Sequence, residues 1–526
     1  MTAYSDTAHC RLKIGSHDQP PSMTAIAPDA ATFAAVHATG APQMVWRKII
    51  ADTETPVSAM LKLGVAGSGA FLLESVEGGA VRGRYSLLGL DPDLVWRATG
   101  DACEVNRDWR TDRAAFVACA GAPLAELRAL VASCRMAVPD GLPRALSTLV
   151  GTMGYETARL AERLPAPKAD PLGVADLLFV RPTLLLVFDR LKDELFLVAP
   201  VFPDGRAAPS AHAAAVEAIE AAEARLARPV PVAARAAAAL PDGAMKAVLP
   251  PGRYEAMAAA AKELIAAGDI FQVVLAQRFT VDFPLPPFDL YRALRRINPS
   301  PFLYFLDLPG FALIGSSPEI LVRVRDGEVT IRPIAGTRPR GRDAVDDARL
   351  RDELLADPKE LAEHLMLLDL GRNDVGRVAA PGSVVVTDRY GVEMYSHVMH
   401  IVSNVRGTLD PKFDAIDALL AGFPAGTVSG APKVHAMEII HDLEAEKRGP
   451  YAGGVGYFSP DGAMDSCIVL RTAVVKDGVM HVQAGAGIVA DSVPASEDAE
   501  CRAKAGALFA AAREALRLAG EAGFGQ

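Results

Sequence analysis

At 526 residues, 50% of them hydrophobic and 22% charged, the chain has the composition of a folded protein and the length for two or three compact units, which excludes a disordered polymer. Its formal charge of −10, from 64 acidic against 54 basic residues, would repel a phosphate backbone, and no dense Lys/Arg cluster overrides it, which excludes nucleic acid as a partner.

The opening segment MTAYSDTAHCRLKIGSHDQPPS places charged and polar side chains where a secretory signal needs an apolar run. Residues 1–45 lack periodicity and are expected to form a loosely ordered extension, within which Met23 offers an alternative start. Over 46–203, short apolar segments alternate with Gly/Pro/Asp turns, as in FLLESVEGG and GRYSLLGLDPD, which predicts a sheet-rich first domain. Its most apolar stretch, Val174 to Pro200, is interrupted by Arg181, Pro182 and Asp189 before any window could span a bilayer, and reads as two core strands joined by a turn.

Residues 204–250 carry an alanine-rich helix, about Ala211–Ala227, between proline-bearing flanks, the composition of a connection between domains. Over 251–520, helical stretches (Tyr254–Ala267, Ala348–Leu370, Asp498–Leu518) separate strand-like ones such as GEVTIRPIAGT and VMHVQAGAGIV, an α/β unit large enough to house a site. The six cysteines (Cys10, Cys103, Cys119, Cys134, Cys467, Cys501) show neither C-x-x-C nor regular spacing, so zinc and a disulfide framework are not indicated and a reducing cytoplasm fits.

Within the last unit, ELAEHLMLLDLGRND sets Glu360 and Glu363 three apart on one helix face, and PASEDAECRAKA repeats the geometry with Glu497 and Glu500, Lys504 following one turn on. Such pairs also occur as solvated helix faces. If the two helices converge, however, four carboxylates cannot all stay ionised in a dry cleft without a cation such as Mg²⁺. GAGIVA from Gly485 matches a dinucleotide-binding pattern, but Pro494 interrupts any helix begun there and no second strand follows, so an oxidoreductase is rejected. Glycines there still let backbone N–H groups approach a carboxylate. The turn FPAGTVSGAPK lacks the G-K-[ST] ending of a phosphate loop. His400, in the alternating segment YSHVMHIVSNV, is compatible with a satisfied core imidazole. Arg471, inside IVLRTAVV, is costly to bury unless it meets an anion and should point into a polar cleft.

Taken in order, FLLESVEGG, GRYS, FQVVLAQRF, NPSPF, GSSPE, PIAGTRPRG, ELAEHLMLLDLGRND, HVMHIVS, FPAGTVSGAPK, RGPYAGGVGYF, IVLRTA, QAGAGIVADS and SEDAECRAKA resemble the chorismate-utilising enzymes over residues 45–518. Among these the anthranilate synthase large subunits match best. The resemblance implies an α/β (α+β) fold of antiparallel sheets flanked by helices, with a sheet-rich N-terminal regulatory part and a C-terminal catalytic part. It implies a Mg²⁺ site at Glu360, Glu363, Glu497 and Glu500. Gly336, Thr337, Tyr451, Arg471 and the turn Gly485, Ala486, Gly487 would bind the two carboxylates of chorismate. Thr427, Glu319, His400 and Lys504 would lie by the reacting ring, with His400 assisting aromatisation and Lys504 balancing charge.

Two positions select the branch. Aminodeoxychorismate synthases carry a lysine where this chain has Ala335, and isochorismate and salicylate synthases carry one where it has Gln272; with neither, ammonia should attack directly and anthranilate and pyruvate should form. An aminodeoxychorismate synthase and a non-catalytic tryptophan-binding relative are the alternatives. None of the cysteines sits in a G-x-C-x-G turn, so a separate glutamine amidotransferase subunit is implied, in a hetero-oligomer. At the end of an apolar strand, Glu74 and Ser75 raise a different expectation: a buried carboxylate there should meet a cation. The resemblance makes that cation the ammonium of a feedback tryptophan, held by Leu73, Glu74 and Ser75 and enclosed by Pro301, Phe302, Leu303, Gly456, Tyr457, Asp465 and Cys467.

Overall fold

The computed structural model describes residues 25–77, 81–231, 240, 244–395 and 398–520. They form two twelve-stranded, mainly antiparallel sheets with helices packed against them, the mixed fold expected from the resemblance. Both sheets draw strands from both ends of the chain. In the first, Phe71–Glu77 pairs with Phe302–Leu308, joining strands of 43–201 to strands of 246–488. In the second, Leu149–Met153 pairs with Gly454–Phe458. The chain does pass between the two parts through 204–250, with a helix at Ala208–Leu226, yet the hydrogen-bonded ladders run across that division. One continuous apolar core contains side chains of both sheets, such as Phe71, Leu72, Trp96 and Val150.

Several local expectations change. The Val174–Pro200 stretch holds three strands, not two: Leu177–Arg181 lies in the second sheet, Leu184–Asp189 and Glu194–Val201 in the first. Pro182, which cannot donate to a ladder, sits where the chain crosses between sheets. The helix expected over Ala348–Leu370 is two helices, Ala344–Ala356 and Pro358–Gly376. Asp357 between them is extended (φ −80°, ψ 111°), as a residue before proline prefers, and its carboxylate caps the second helix by accepting from Lys359 N and Glu360 N. The extension expected over 1–45 is a helix at Ala30–His37 and the start of a strand at Gln43 from residue 25 onward, with Phe33 fully buried against His212. Residues 1–24, with Met23 and Cys10, lie outside the described residues.

The helix Pro494–Ala519 starts on a proline, whose missing N–H costs nothing at a first turn. Its buried face (Cys501, Ala505, Leu508, Ala512, Leu516) recurs at three- and four-residue steps and packs on the helix Pro287–Ile297 and the strand Val479–Ile488. That leaves Glu497, Glu500 and Lys504 free to face the cleft described next. Among the described residues no helix is long and apolar enough to cross a membrane.

Candidate active site

A cleft of about 910 Å³ is lined by both acidic helices, by the strands Ile334–Pro339, Val398–Thr408 and Val479–Ile488, and by the turns around 319, 427 and 471. Glu360, Glu363, Glu497 and Glu500 all line it. Burial, and then the charges of Glu360 and Glu500, push the Glu363 carboxyl above its ordinary value, so the acids of the two helices feel one another. Arg338 donates to Glu360 at 2.9 Å and Lys504 meets Glu500 at 2.6 Å. Among the described residues no three His, Cys, Asp or Glu side chains stand close enough to hold a metal ion between them. The donor set still fits a hard cation. It is all carboxylate oxygen, and its mutual repulsion at Glu363 is what a divalent ion would relieve.

Opposite the acids lie groups suited to an anion. Gly336 has φ +75°, a conformation that strains any other residue, and a Cβ there would crowd Ile401 and Glu360 Oε2 at 3.1 and 3.2 Å. Gly485 and Gly487 line the cleft, but as part of the strand Val479–Ile488 rather than a turn. The two-residue alternation of that strand turns Ala486 away from the cleft, fully buried opposite Leu275. A Cβ at Gly485 would fall 2.7 Å from the Tyr451 hydroxyl, so the missing side chain is what lets the phenol reach the strand. Arg471 is not inside a strand. It occupies the break between Met464–Ile468 and Thr472–Lys476 at φ +47°, lines the cleft and makes no ion pair among the described residues. Burial lowers its pKa, the mark of a cation short of an anion.

His400, Glu319 and Thr427 complete the lining. Strand alternation sends Met399 and Ile401 into a small core with Leu354 and leaves His400 on the cleft side. Its Nδ1 lies 3.1 Å from Gly336 O and 3.0 Å from Thr337 Oγ1. A carbonyl can only accept, so Nδ1 carries the proton and Nε2 the lone pair. Burial pushes the imidazolium down to about 4, keeping the ring neutral. The opposite holds at Glu319: burial raises its carboxyl to about 8, while the Thr427 hydroxyl donating at 3.0 Å partly offsets that. Lys504 Nζ also donates to Gly485 O at 3.0 Å. Ala335 and Gln272 both line the cleft, Gln272 with a buried, unpaired Oε1.

The expected regulatory residues form two groups. Leu73, Glu74 and Ser75 pair directly with Phe302–Leu303 and Tyr304 in the first sheet, next to Pro301. Gly456, Tyr457, Asp465 and Cys467 sit on the paired strands Gly454–Phe458 and Met464–Ile468 of the second. Glu74 is buried, and the protein itself supplies the cations that a buried carboxylate there should meet. Arg295 donates to both carboxylate oxygens at 3.0 and 3.1 Å, Tyr291 donates at 2.6 Å, and Arg190 completes the set. Together these outweigh burial and hold the carboxyl below its ordinary value. Two partners of cleft residues carried no local signal: Arg338, which holds Glu360 and Asp357, and Tyr395, whose ring meets His400 edge-on at 5.4 Å.

The model of the chorismate binding enzyme family matches residues 82–510. The chain is 52% identical to an anthranilate synthase component 1 of Cereibacter sphaeroides over 92% of this chain and 97% of that protein. It is 47% identical to one of Thermus thermophilus over 88% and 96%. Its structure is similar to the crystal structure of anthranilate synthase component I from Streptococcus pneumoniae, at a TM-score of 0.72 and 36% identity over 88% of this chain and 98% of that one. The menaquinone-specific isochorismate synthase of Escherichia coli, at 20% identity and a TM-score of 0.67 over 92% and 100%, shares the fold.

Proposed function

The chain belongs to the chorismate-binding enzymes and, within them, to the anthranilate synthase component 1 type that converts chorismate to anthranilate, and from that premise we propose how its cleft works and what it works with. Glu360, Glu363, Glu497 and Glu500 would hold Mg²⁺, which when bound supplies a Lewis acid to the ring carboxylate of chorismate. Arg471, the Tyr451 hydroxyl, Thr337 and the backbone at Gly336, Gly485 and Gly487 orient the two carboxylates. Arg471 carries this part of the reading, because a cleft-facing cation without an ion pair calls for an anionic substrate.

The C4 hydroxyl is a poor leaving group, so it needs a proton as ammonia forms the bond at C2. Glu319, neutral up to about pH 8, holds that proton, and the C4–O bond breaks with water leaving. The amino intermediate then loses its C2 proton as the ring C3–O bond breaks, and the expelled enolpyruvate takes up a proton at its methylene carbon to become pyruvate. His400, with its Nε2 lone pair free, accepts the C2 proton as the ring becomes aromatic. In His400→Gln, which keeps a donor but no basic lone pair, elimination is expected to slow by roughly 100-fold or more while amination persists. The amino intermediate should then accumulate by chromatography; parallel loss of both products would reassign His400 to the first step.

Ammonia would be delivered by a glutamine amidotransferase subunit, in the cytoplasm, where the thiols of the described cysteines, all of them free, stay reduced. Tryptophan would act as the feedback ligand at the seam of Phe71–Glu77 with Phe302–Leu308. Its ammonium would have to displace Arg190 or Arg295 from Glu74, and displacing Arg295 would couple its binding to movement of the helix Pro287–Ile297. One assay tests the whole reading: purified chain, chorismate and Mg²⁺, followed by anthranilate fluorescence. Ammonium should support turnover, glutamine should not until the amidotransferase subunit is added, and tryptophan should inhibit competitively with chorismate. Turnover of glutamine by the chain alone would remove the partner, and indifference to tryptophan would remove the feedback site.

A further inference from the structure

Behind the cleft lies the most enclosed cation of the described protein. Arg448 is 1% exposed, and its guanidinium is gripped by Glu444, with Nε to Oε2 at 2.9 Å and Nη2 to Oε1 at 2.5 Å. Two further donors go to backbone carbonyls: Nη1 to Val428 O at 2.7 Å and Nη2 to Val274 O at 2.6 Å. Glu444 extends the grip by accepting Ala276 N at 2.8 Å, and Glu156 accepts the backbone N–H groups of Arg448 and Gly449 at 2.9 and 3.0 Å. The guanidinium also lies over the rings of Tyr155 and Tyr451, 4.7 and 5.6 Å from their centroids.

Those two carbonyls belong to cleft-lining residues. Val428 follows Thr427, the hydroxyl that donates to Glu319; Val274 stands two residues after Gln272, and its N–H closes onto Ser429 O at 2.9 Å. Arg448 is thus bonded to both the 426–429 turn and the strand Gln272–Asp282 while it lies over the ring of Tyr451. Backbone bonds between these segments, from Val274 N to Ser429 O and between Gln272–Val273 and Gly430–Ala431, hold them side by side, but they do not set the direction of the Val428 carbonyl. A planar fork with fixed donor angles does.

We propose that Arg448, clamped by Glu444, is a positioning residue for the chorismate reaction: it orients the 426–429 turn so that the Thr427 hydroxyl points at Glu319. The proposal rests on the reading of Glu319 as the proton donor. Arg448 touches no substrate in it and acts through Thr427.

Lysine at 448 keeps the charge but cannot reach Glu444 and both carbonyls at once. In Arg448→Lys, kcat with ammonium is expected to fall by roughly 100-fold, the scale of an ångström-level misplacement, with the KM for chorismate changed much less than kcat, because, of the substrate-binding groups, only the ring of Tyr451 lies beside Arg448. The Thr427 hydrogen bond lowers the Glu319 pKa, so its loss should move the alkaline limb of kcat to higher pH. The other titratable neighbour that feels Glu319 is Tyr395, which stays a neutral phenol over this range because burial raises its pKa. A double-mutant cycle separates positioning from bulk stability: in a Thr427→Val background, Arg448→Lys should cost less than about threefold in kcat. If Arg448→Lys does not fold, Glu444→Gln keeps the arginine, releases the clamp and is read the same way. A folded variant with wild-type kcat and pH limb, or a full 100-fold cost in the Thr427→Val background, overturns the proposal. A wild-type chain that makes no anthranilate overturns the reading beneath it instead.

Discussion

Glu319→Gln will reduce anthranilate formation by roughly 10²- to 10⁴-fold, the range spanned by a positioned general acid. The side chain is 7% exposed and, among the described residues, makes no ion pair and receives one hydrogen bond, from Thr427. Burial raises its pKa to about 8 from an ordinary 4.5. The protonated form is the useful one, so wild-type activity should be present below about pH 8 and decline as pH rises through that value, and the variant should lack this limb. Stability supplies an independent check. Between 4.5 and about 8 the folded state holds a proton that the unfolded state has released, so this group makes stability fall as pH rises across that window. Glutamine, which cannot ionise, removes the dependence, and the variant should gain in relative thermal stability toward pH 8. A variant with the wild-type alkaline limb would show that some other group supplies the proton.

The second large effect is expected at the acids. Glu363→Gln and Glu500→Gln should each weaken Mg²⁺ activation by at least about 100-fold, the upper end of what losing even an outer-shell partner costs a metal site. Chelation should silence the wild-type chain and added Mg²⁺ restore it. The variants should remain folded, because Glu363 already suffers from burial and from the charges of Glu360 and Glu500, and its neutral amide removes that repulsion. The two positions separate metal binding from simple charge balance. Glu500 is met by Lys504, which would be left with only its bond to Gly485 O, whereas Glu363 has no ion pair among the described residues. Direct calorimetric titration with Mg²⁺ in the presence of chorismate reads the result without relying on turnover. Wild-type metal dependence in both variants would remove the four-carboxylate site.

Much of this could be read in the chain because it is local. Three-residue spacing places Glu360 with Glu363 and Glu497 with Glu500 whatever surrounds them, and alternation sets His400 opposite Met399 and Ile401. The order of short motifs carries the family, and with it the fold and the reaction type. Even the break at Asp357–Pro358 is a local rule, hidden only by the helical composition on either side of it.

The rest depends on contacts between residues far apart in the chain. Whether Ala486 or its neighbouring glycines face the cleft follows from the register of Val479–Ile488 on Gln272–Asp282, and a shift of one residue would reverse it. Glu74 finds Arg190 116 residues away and Arg295 221 residues away, so the chain could announce that its carboxylate needs a cation but not that the protein already provides two. The clamp from Arg448 to Val274 O spans 174 residues and ends on a backbone carbonyl, a group every residue possesses. By itself the sequence determined the element types, the acid pairs and the family, because propensity, spacing and motif order are properties of short segments. Only the tertiary structure decided that two sheets share strands from both ends of the chain, which side chains meet across the cleft and which charges are already paired, because backbone hydrogen bonds and ion pairs between distant segments leave no periodic trace in either partner.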